Sequence, residues 1–200
     1  MSQFTEHLTD AHAEMIAQQS LFFVATAASD GRINLSPKGY DAFRVLGPQR
    51  VAWLDLAGSG NETHAHLVAD GRITIMFCHF AQPPLILRIY GRGRPVLPAD
   101  AEWDALAAHF DLLPGTRQIF DVTVESVQTS CGWGVPVMSL DHERASLVGY
   151  HAQQDPAAWE AKYAARDRSI DGLPVRATDR YIGAPVPAMR SGNKTAPRRA

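Results

Sequence analysis

Two short segments hold the residues best suited to binding chemistry. Asn34-Leu35-Ser36-Pro37-Lys38-Gly39 closes a strand-like run with a hydroxyl and a mobile ammonium side by side, a pairing that suits a phosphate. Gly58-Ser59-Gly60-Asn61-Glu62-Thr63 lies where a strand gives way to a helix. Its glycines let a ligand approach the backbone, and the helix start turns free amides towards an anion. Each also has a plain structural use, since S-P-K-G can turn the chain and G-S-G-N can cap a helix. One hairpin separates them, so an antiparallel barrel can bring both to bear on one phosphomonoester.

Other reactive residue types carry less. His64 and His66 sit on a helical segment, where positions i and i+2 point about 200° apart, so the pair is expected to be solvated or hydrogen-bonded and no metal site is expected. His79 precedes Gln82-Pro83-Pro84 and is either an ordinary edge residue or an axial ligand for haem. Cys78 and Cys131, the only cysteines, form no CxxC pair and are expected to be buried, reduced thiols. Neither has the His and Asp spacing of an activated nucleophile, and no catalytic residue stands out. Arg88, Arg92 and Arg94 share strand parity, giving one basic face for solvent, an anionic substrate or a second subunit.

The elements that must position these residues are mostly strands. Thr9 or Asp10 can cap a helix over Ala11 to Ser20. Leu21 to Thr26 and Ile33 to Ser36 flank Ser29-Asp30-Gly31-Arg32, and Phe43 to Leu46 and Val51 to Leu56 flank Gly47-Pro48-Gln49-Arg50, so two strand-turn-strand units follow each other. A short helix over Glu62 to Ala69, strands over Arg72 to Phe80 and Leu85 to Val96, and a helix begun by Pro98-Ala99-Asp100 come next. Ile119 to Val127 alternates like a closing strand, and Pro156 opens a last helix through Ala164. Six or seven strands in meander order with three helices favour a closed or partly closed antiparallel barrel over a parallel sheet.

A chain of 200 residues with 46% apolar and 20% charged residues and a formal charge of -2 suits one domain, here 1–183. Residues 184–200, with four basic residues and no acids, read as a flexible basic tail. The charge gives no reason to expect nucleic acid or an anionic membrane as partner. Acids at the N-terminus and the lack of a long apolar run predict a cytoplasmic protein.

The order S-P-K-G, then G-S-G-N, then L-R-I-Y-G-R at Leu87 to Arg92, then C-G-W-G-V-P from Cys131 resembles the pyridoxamine 5'-phosphate oxidase-related FMN-binding family, from about Leu8 to Pro136. The resemblance implies a mainly β fold with peripheral helices, a six- to seven-stranded antiparallel split β-barrel, and a homodimer holding FMN between its subunits. By position, Asn34, Ser36, Lys38, Ser59, Gly60, Asn61 and Thr63 would hold the phosphate and ribityl chain. Trp53, Leu54 and Asp55 would run past the isoalloxazine ring, with backbone groups addressing its pyrimidine edge, and Trp133 would come from the second subunit and pack near the flavin. FAD, a deazaflavin or haem are alternative occupants. The implied function is an FMN-dependent oxidoreductase acting on a small-molecule substrate or electron donor. Alternatives are a non-catalytic flavin-binding or electron-transfer module, or a haem-handling protein on the same fold. The family's cofactor loop carries bases where this chain has Ser59, Asn61, Thr63 and Glu62. Its vitamin B6-binding signature near the C-terminus has no counterpart here, which argues against a B6 substrate.

Overall fold

A computed structural model describes residues 2–178 and 180–191. Its framework is an eight-stranded antiparallel sheet made of β1 (Gln3–Thr5), β2 (Phe22–Thr26), β3 (Asn34–Lys38), β4 (Phe43–Gly47), β5 (Arg50–Leu56), β6 (Arg72–His79), β7 (Leu85–Val96) and β8 (Thr116–Cys131). The path runs β3-β2-β6-β7-β8-β5-β4, with β1 paired to the far end of β8. The two path ends, β3 and β4, do not pair, so the barrel is split rather than closed. The expected meander order is corrected: β2 pairs with β6 and β5 with β8, because the connections from β3 to β4 and from β5 to β6 cross between distant strands instead of joining neighbours. The eighth strand, β1, was not expected; three residues are too few to show a period.

The helices follow the cap chemistry. In α1 (Asp10–Ala17), Thr9 Oγ1 accepts from the His12 amide and His12 Nδ1 accepts from the Thr9 amide, a reciprocal cap. In α5 (Pro156–Ala164), Asp155 accepts from the Ala158 amide ahead of a first-turn proline. Between them lie α2 (Glu62–Ala69), α3 (Trp103–Ala107) and α4 (Ser146–Ala152). The expected helix after Pro98 shrinks to the five residues of α3, and α4 was not foreseen.

Two apolar layers meet on β5 and β8. Inside the barrel, Phe22, Phe43 and Phe77 pack with ring centroids 5.0 to 5.6 Å apart, and Trp53 stacks on Phe120 at 4.6 Å. Met15 and Ile16 of α1 join this cluster. On the other face, Ala52, Leu54 and Ile119 pack against Trp103 and Leu106 of α3 and Val148 of α4. Because both faces are covered, burial along β5 is continuous from Val51 to Asp55 rather than alternating. Charged groups on such a strand must then be paired.

At Tyr90–Gly91 the β7·β8 register shifts, leaving Glu125 without a backbone register partner on β7. A Cβ on Gly91 would lie 2.1 Å from the Thr123 carbonyl oxygen, so the two backbones can approach only because there is none. Gly91→Ala is expected to destabilise the fold by about 3 kcal/mol, at the upper end for overpacking, because the obstacle is backbone. Denaturant unfolding of the purified variant measures this.

Several sequence expectations are corrected. Cys78 is buried and burial pushes its thiol up, but Cys131 is exposed, because it ends β8 where the chain leaves the sheet. Of the two alternatives for His64 and His66, the hydrogen-bonded one holds and the solvated one does not: both are fully buried, bonded to Gln118 and Thr26 respectively. Two of the three β7 arginines are ion-paired within the chain, Arg92 with Glu125 and Arg94 with Glu102 and Asp121, while Arg88 donates to Ser130 Oγ. Beyond residue 183, Met189 packs against the α3 cluster and Arg190 pairs with Glu143, while 192–200 lie outside the described residues. Among the described residues no helix is long and apolar enough to cross a membrane.

Candidate functional site

Asn34, Ser36 and Lys38 alternate with exposed Leu35 and Pro37, so the pleat puts all three on the same face of β3. Asn34 Nδ2 donates to Thr63 Oγ1 at 3.0 Å and to Thr26 Oγ1 at 3.2 Å. Thr26 Oγ1 also bonds His66 Nδ1 at 3.1 Å, tying β2, β3 and α2 together. Lys38 Nζ reaches Asp55 Oδ1 at 3.1 Å. Since β3 ends one side of the sheet path and β5 is next to the other end, this ion pair spans the split in the barrel. Ser36 Oγ, between Asn34 and Lys38, is buried with no hydrogen-bond partner among the described residues.

Asp55 is the hub. Its Oδ2 accepts from Arg117 Nε at 2.7 Å and from Gln118 Nε2 at 2.8 Å. Burial alone would push this carboxyl up, but Arg117, Lys38 and the hydrogen bonds of Gln118 and Arg117 outweigh it and hold it far below the usual carboxylate range. A carboxylate can only accept, so the amide nitrogen of Gln118 must face Asp55. The same nitrogen donates to Asn61 Oδ1 at 2.8 Å, which leaves Gln118 Oε1 to accept from His64 Nδ1 at 2.7 Å. His64 Nε2 then carries the lone pair and accepts from the Arg176 amide at 3.1 Å. Burial, chiefly, lowers the pKa of His64, as this one-proton arrangement requires. Lys38, Arg117 and Asp55 together keep an excess of one positive charge beneath the Gly58–Asn61 loop.

The loop leads into α2, whose N-cap residue Asn61 makes no side-chain cap bond, its oxygen being turned to Gln118. A cavity of about 630 Å³ opens over it, lined by Ser59, Gly60, Asn61 and Arg117 below and by residues between Tyr163 and Thr178 above. That size falls in the range of roughly 300 to 1,000 Å³ for small-molecule sites.

The structure therefore joins Asn34 and Thr63 in one hydrogen-bonded group and Lys38, Asp55 and Asn61 in a second, with Ser36 on the β3 face between Asn34 of the first and Lys38 of the second. Ser59 and Gly60 stand exposed at the cavity mouth. Trp53 and Leu54 are not at its surface: Trp53 lies in the barrel interior and Leu54 under α3. Trp133 is 85% exposed, just past β8, where it is open to contact from outside this chain. His79 has both ring nitrogens engaged, with Pro83 O at 2.6 Å and Gln18 Oε1 at 3.0 Å, so neither is free for an axial bond to haem.

Arg117, Gln118, Arg166 and Arg176 escaped the sequence reading. Arg117 and Gln118 are two polar residues directly before an apolar strand, the kind of signal that a loop gives equally well. Arg166 belongs to an R-D-R stretch after α5 whose only visible property is charge.

Residues 8–131 match the family model described as pyridoxamine 5'-phosphate oxidase. The pyridoxamine 5'-phosphate oxidase family protein ustO of Aspergillus flavus is 39% identical over 145 residues, 70% of this chain and 58% of the relative, so the chain spans little more than half of that protein's length. Among solved structures, a point variant of Group A Streptococcus HupZ superposes with a TM-score of 0.50 at 19% identity, covering 61% of this chain and 98% of that one. A candidate pyridoxamine 5'-phosphate oxidase of Lactobacillus delbrueckii does so with a TM-score of 0.50 at 17% identity, covering 62% and 94%. At such identities these two bear on the fold alone. The family match takes in β2 to β8, the network around Asp55 and the loop before α2; on that ground, the chain belongs to the pyridoxamine 5'-phosphate oxidase family.

Proposed function

We propose that this protein binds FMN at a homodimer interface and acts as a flavin-dependent oxidoreductase on a small-molecule substrate other than a B6 vitamer. The observation that carries the reading is Ser36. A buried hydroxyl without a partner costs roughly 1 to 3 kcal/mol, and among the described residues it sits so between Asn34 and Lys38, on the strand face turned towards the α2 start. A phosphate or ribityl oxygen would relieve that cost, so the residues present fit the group. Lys38 has two ammonium hydrogens beyond the one turned to Asp55, and the Gly58–Asn61 backbone borders an open cavity.

A bound flavin would supply the two-electron chemistry. The protein's part is to bind and orient it. Asn34 and Thr63 fix the β3 to α2 distance, Asp55 holds Lys38 and Arg117 in place, and Gln118 turns Asn61 by its side-chain oxygen. Trp133 and the exposed apolar residues Ile33 and Leu35 offer contact area to a second copy.

The purified protein is expected to show flavin absorbance, to release FMN on heating, identified by mass, and to elute as a dimer. A colourless monomer that ignores added FMN would refute the reading. Ser36→Ala is the sharper variant. Removing the unpaired hydroxyl should raise the stability of the cofactor-free chain by about 1 kcal/mol while weakening FMN binding roughly fivefold. Thermal unfolding without FMN and fluorescence titration with it give the two signs.

A further inference from the structure

The family match stops at residue 131, yet the chain beyond it follows the Gly58–Asn61 loop almost residue by residue. His151 Nε2 donates to Ala57 O at 2.8 Å, and Arg166 Nη1 to Gly58 O and Ser59 O. The Ile170 amide donates to Glu62 at 3.1 Å, and the Arg176 amide to His64 Nε2. Asp171 pairs with Arg32 in the β2–β3 turn, anchoring the same segment on its other side. Residues 163–178 thus form the roof of the 630 Å³ cavity and bring Arg166 and Arg168 to a lining they share with Arg117.

The loop itself has no basic side chain between Gly58 and Thr63, and its one charge, Glu62, is taken up by the Ile170 amide. Of the arginines lining the cavity, Arg176 is committed to Asp100 and Arg117 to Asp55. Arg166 and Arg168 bond backbone carbonyls instead, and among the described residues neither makes an ion pair; the cavity lining holds four arginines against two carboxylates, Glu62 and Asp167. Two guanidinium groups at the wall of a cavity above a cationic floor define a site for a doubly charged anion. We propose that Arg166 and Arg168, from the segment outside the family match, supply the cationic half of the phosphate pocket for the same chain's FMN. This rests on the flavin reading above, and it names which part of the cofactor the C-terminal segment takes.

FMN and riboflavin differ only in the phosphate, so their dissociation constants, measured by fluorescence titration of the full-length protein, separate the two ideas. The wild-type chain should prefer FMN by at least about a hundredfold, as charge-assisted bonds to a phosphate imply. Arg168→Gln and Arg166→Gln should each weaken FMN roughly tenfold or more while riboflavin changes less than about twofold, and Arg168→Lys should regain part of the loss. Arg166→Gln also loosens the loop, which would weaken both ligands alike; Arg168, bonded to Gly172 O in its own turn, is free of that effect. An unchanged FMN to riboflavin ratio in Arg168→Gln would overturn the pocket and leave the flavin reading standing. A wild-type chain that binds neither ligand would overturn both.

Discussion

Asp55→Ala is expected to destabilise the protein by about 3 to 5 kcal/mol, the cost of removing one partner from a buried charge cluster. Arg117 is 6% exposed and would be left with a buried guanidinium whose Nε has lost its acceptor, while Gln118 would lose the group that fixes its amide. For a domain of this size such a loss lowers the melting temperature by roughly 10 °C. The pH dependence gives an independent check. The carboxyl of Asp55 is held far below its ordinary value in the folded chain, so the unfolded chain takes up the proton first as the solution is acidified. Its contribution is therefore complete above a pH of about 5 and is lost progressively below it. Wild type and variant should differ by a constant amount from neutral pH down to about 5, and the difference should shrink in stronger acid. Equal acid slopes in the two proteins would show that Asp55 is not the stabilised carboxylate.

Trp159→Ala should cost a similar amount, about 3 to 5 kcal/mol, but by a different route. Trp159 is fully buried, its ring 4.6 Å from Tyr163 and 5.4 Å from Tyr181, with Ala57 in the same cluster. Its indole N–H donates to His151 Nδ1 at 2.9 Å, which leaves the Nε2 proton of His151 for Ala57 O. The tryptophan thus sets the imidazole that grips the residue before the cavity loop. Truncating it should release the segment from Ser146 to Thr178 before the barrel unfolds, read as faster amide exchange and easier proteolysis there, with FMN affinity falling alongside. Uniform exchange changes across the barrel would contradict this. Burial, chiefly, lowers the pKa of both His151 and His64, so both are neutral in the fold. The unfolded chain binds those protons below a pH of about 6.5, and stability should already decline between about pH 7 and 5, ahead of the Asp55 range.

Local chemistry decided a large part of this protein. The turn at Gly31, with a φ of 94°, the reciprocal cap at Thr9 and the first-turn proline of α5 are all short-range signals, and the strands they bound lie within a few residues of where alternation and turn residues put them. The order of the S-P-K-G, G-S-G-N and C-G-W-G-V-P segments carried the family and the split barrel, whereas the strand order itself, with β2 beside β6 and β5 beside β8, was set by long-range pairing that no local signal gives.

What only the tertiary structure decided is pairing between residues far apart in the chain. Lys38 alone reads as a free phosphate donor, and it takes the rolling of the sheet to set Asp55 beside it across the split. Trp53 reads as part of a segment whose backbone would pass the flavin ring, and burial on both faces of β5 decides that its side chain belongs to the core. The roof is the extreme case: Arg166 meets Gly58 at a separation of 108 residues, and Arg176 meets His64 at 112. Periodicity reports which face of an element is apolar, and turn residues report where it ends. Neither reports what covers that face, since the covering segment is chosen by the summed burial and hydrogen bonding of the folded chain. The polar residues of β3 and the loop that are proposed to bind the phosphate were therefore legible in the sequence, and the arginines proposed to complete the pocket were not.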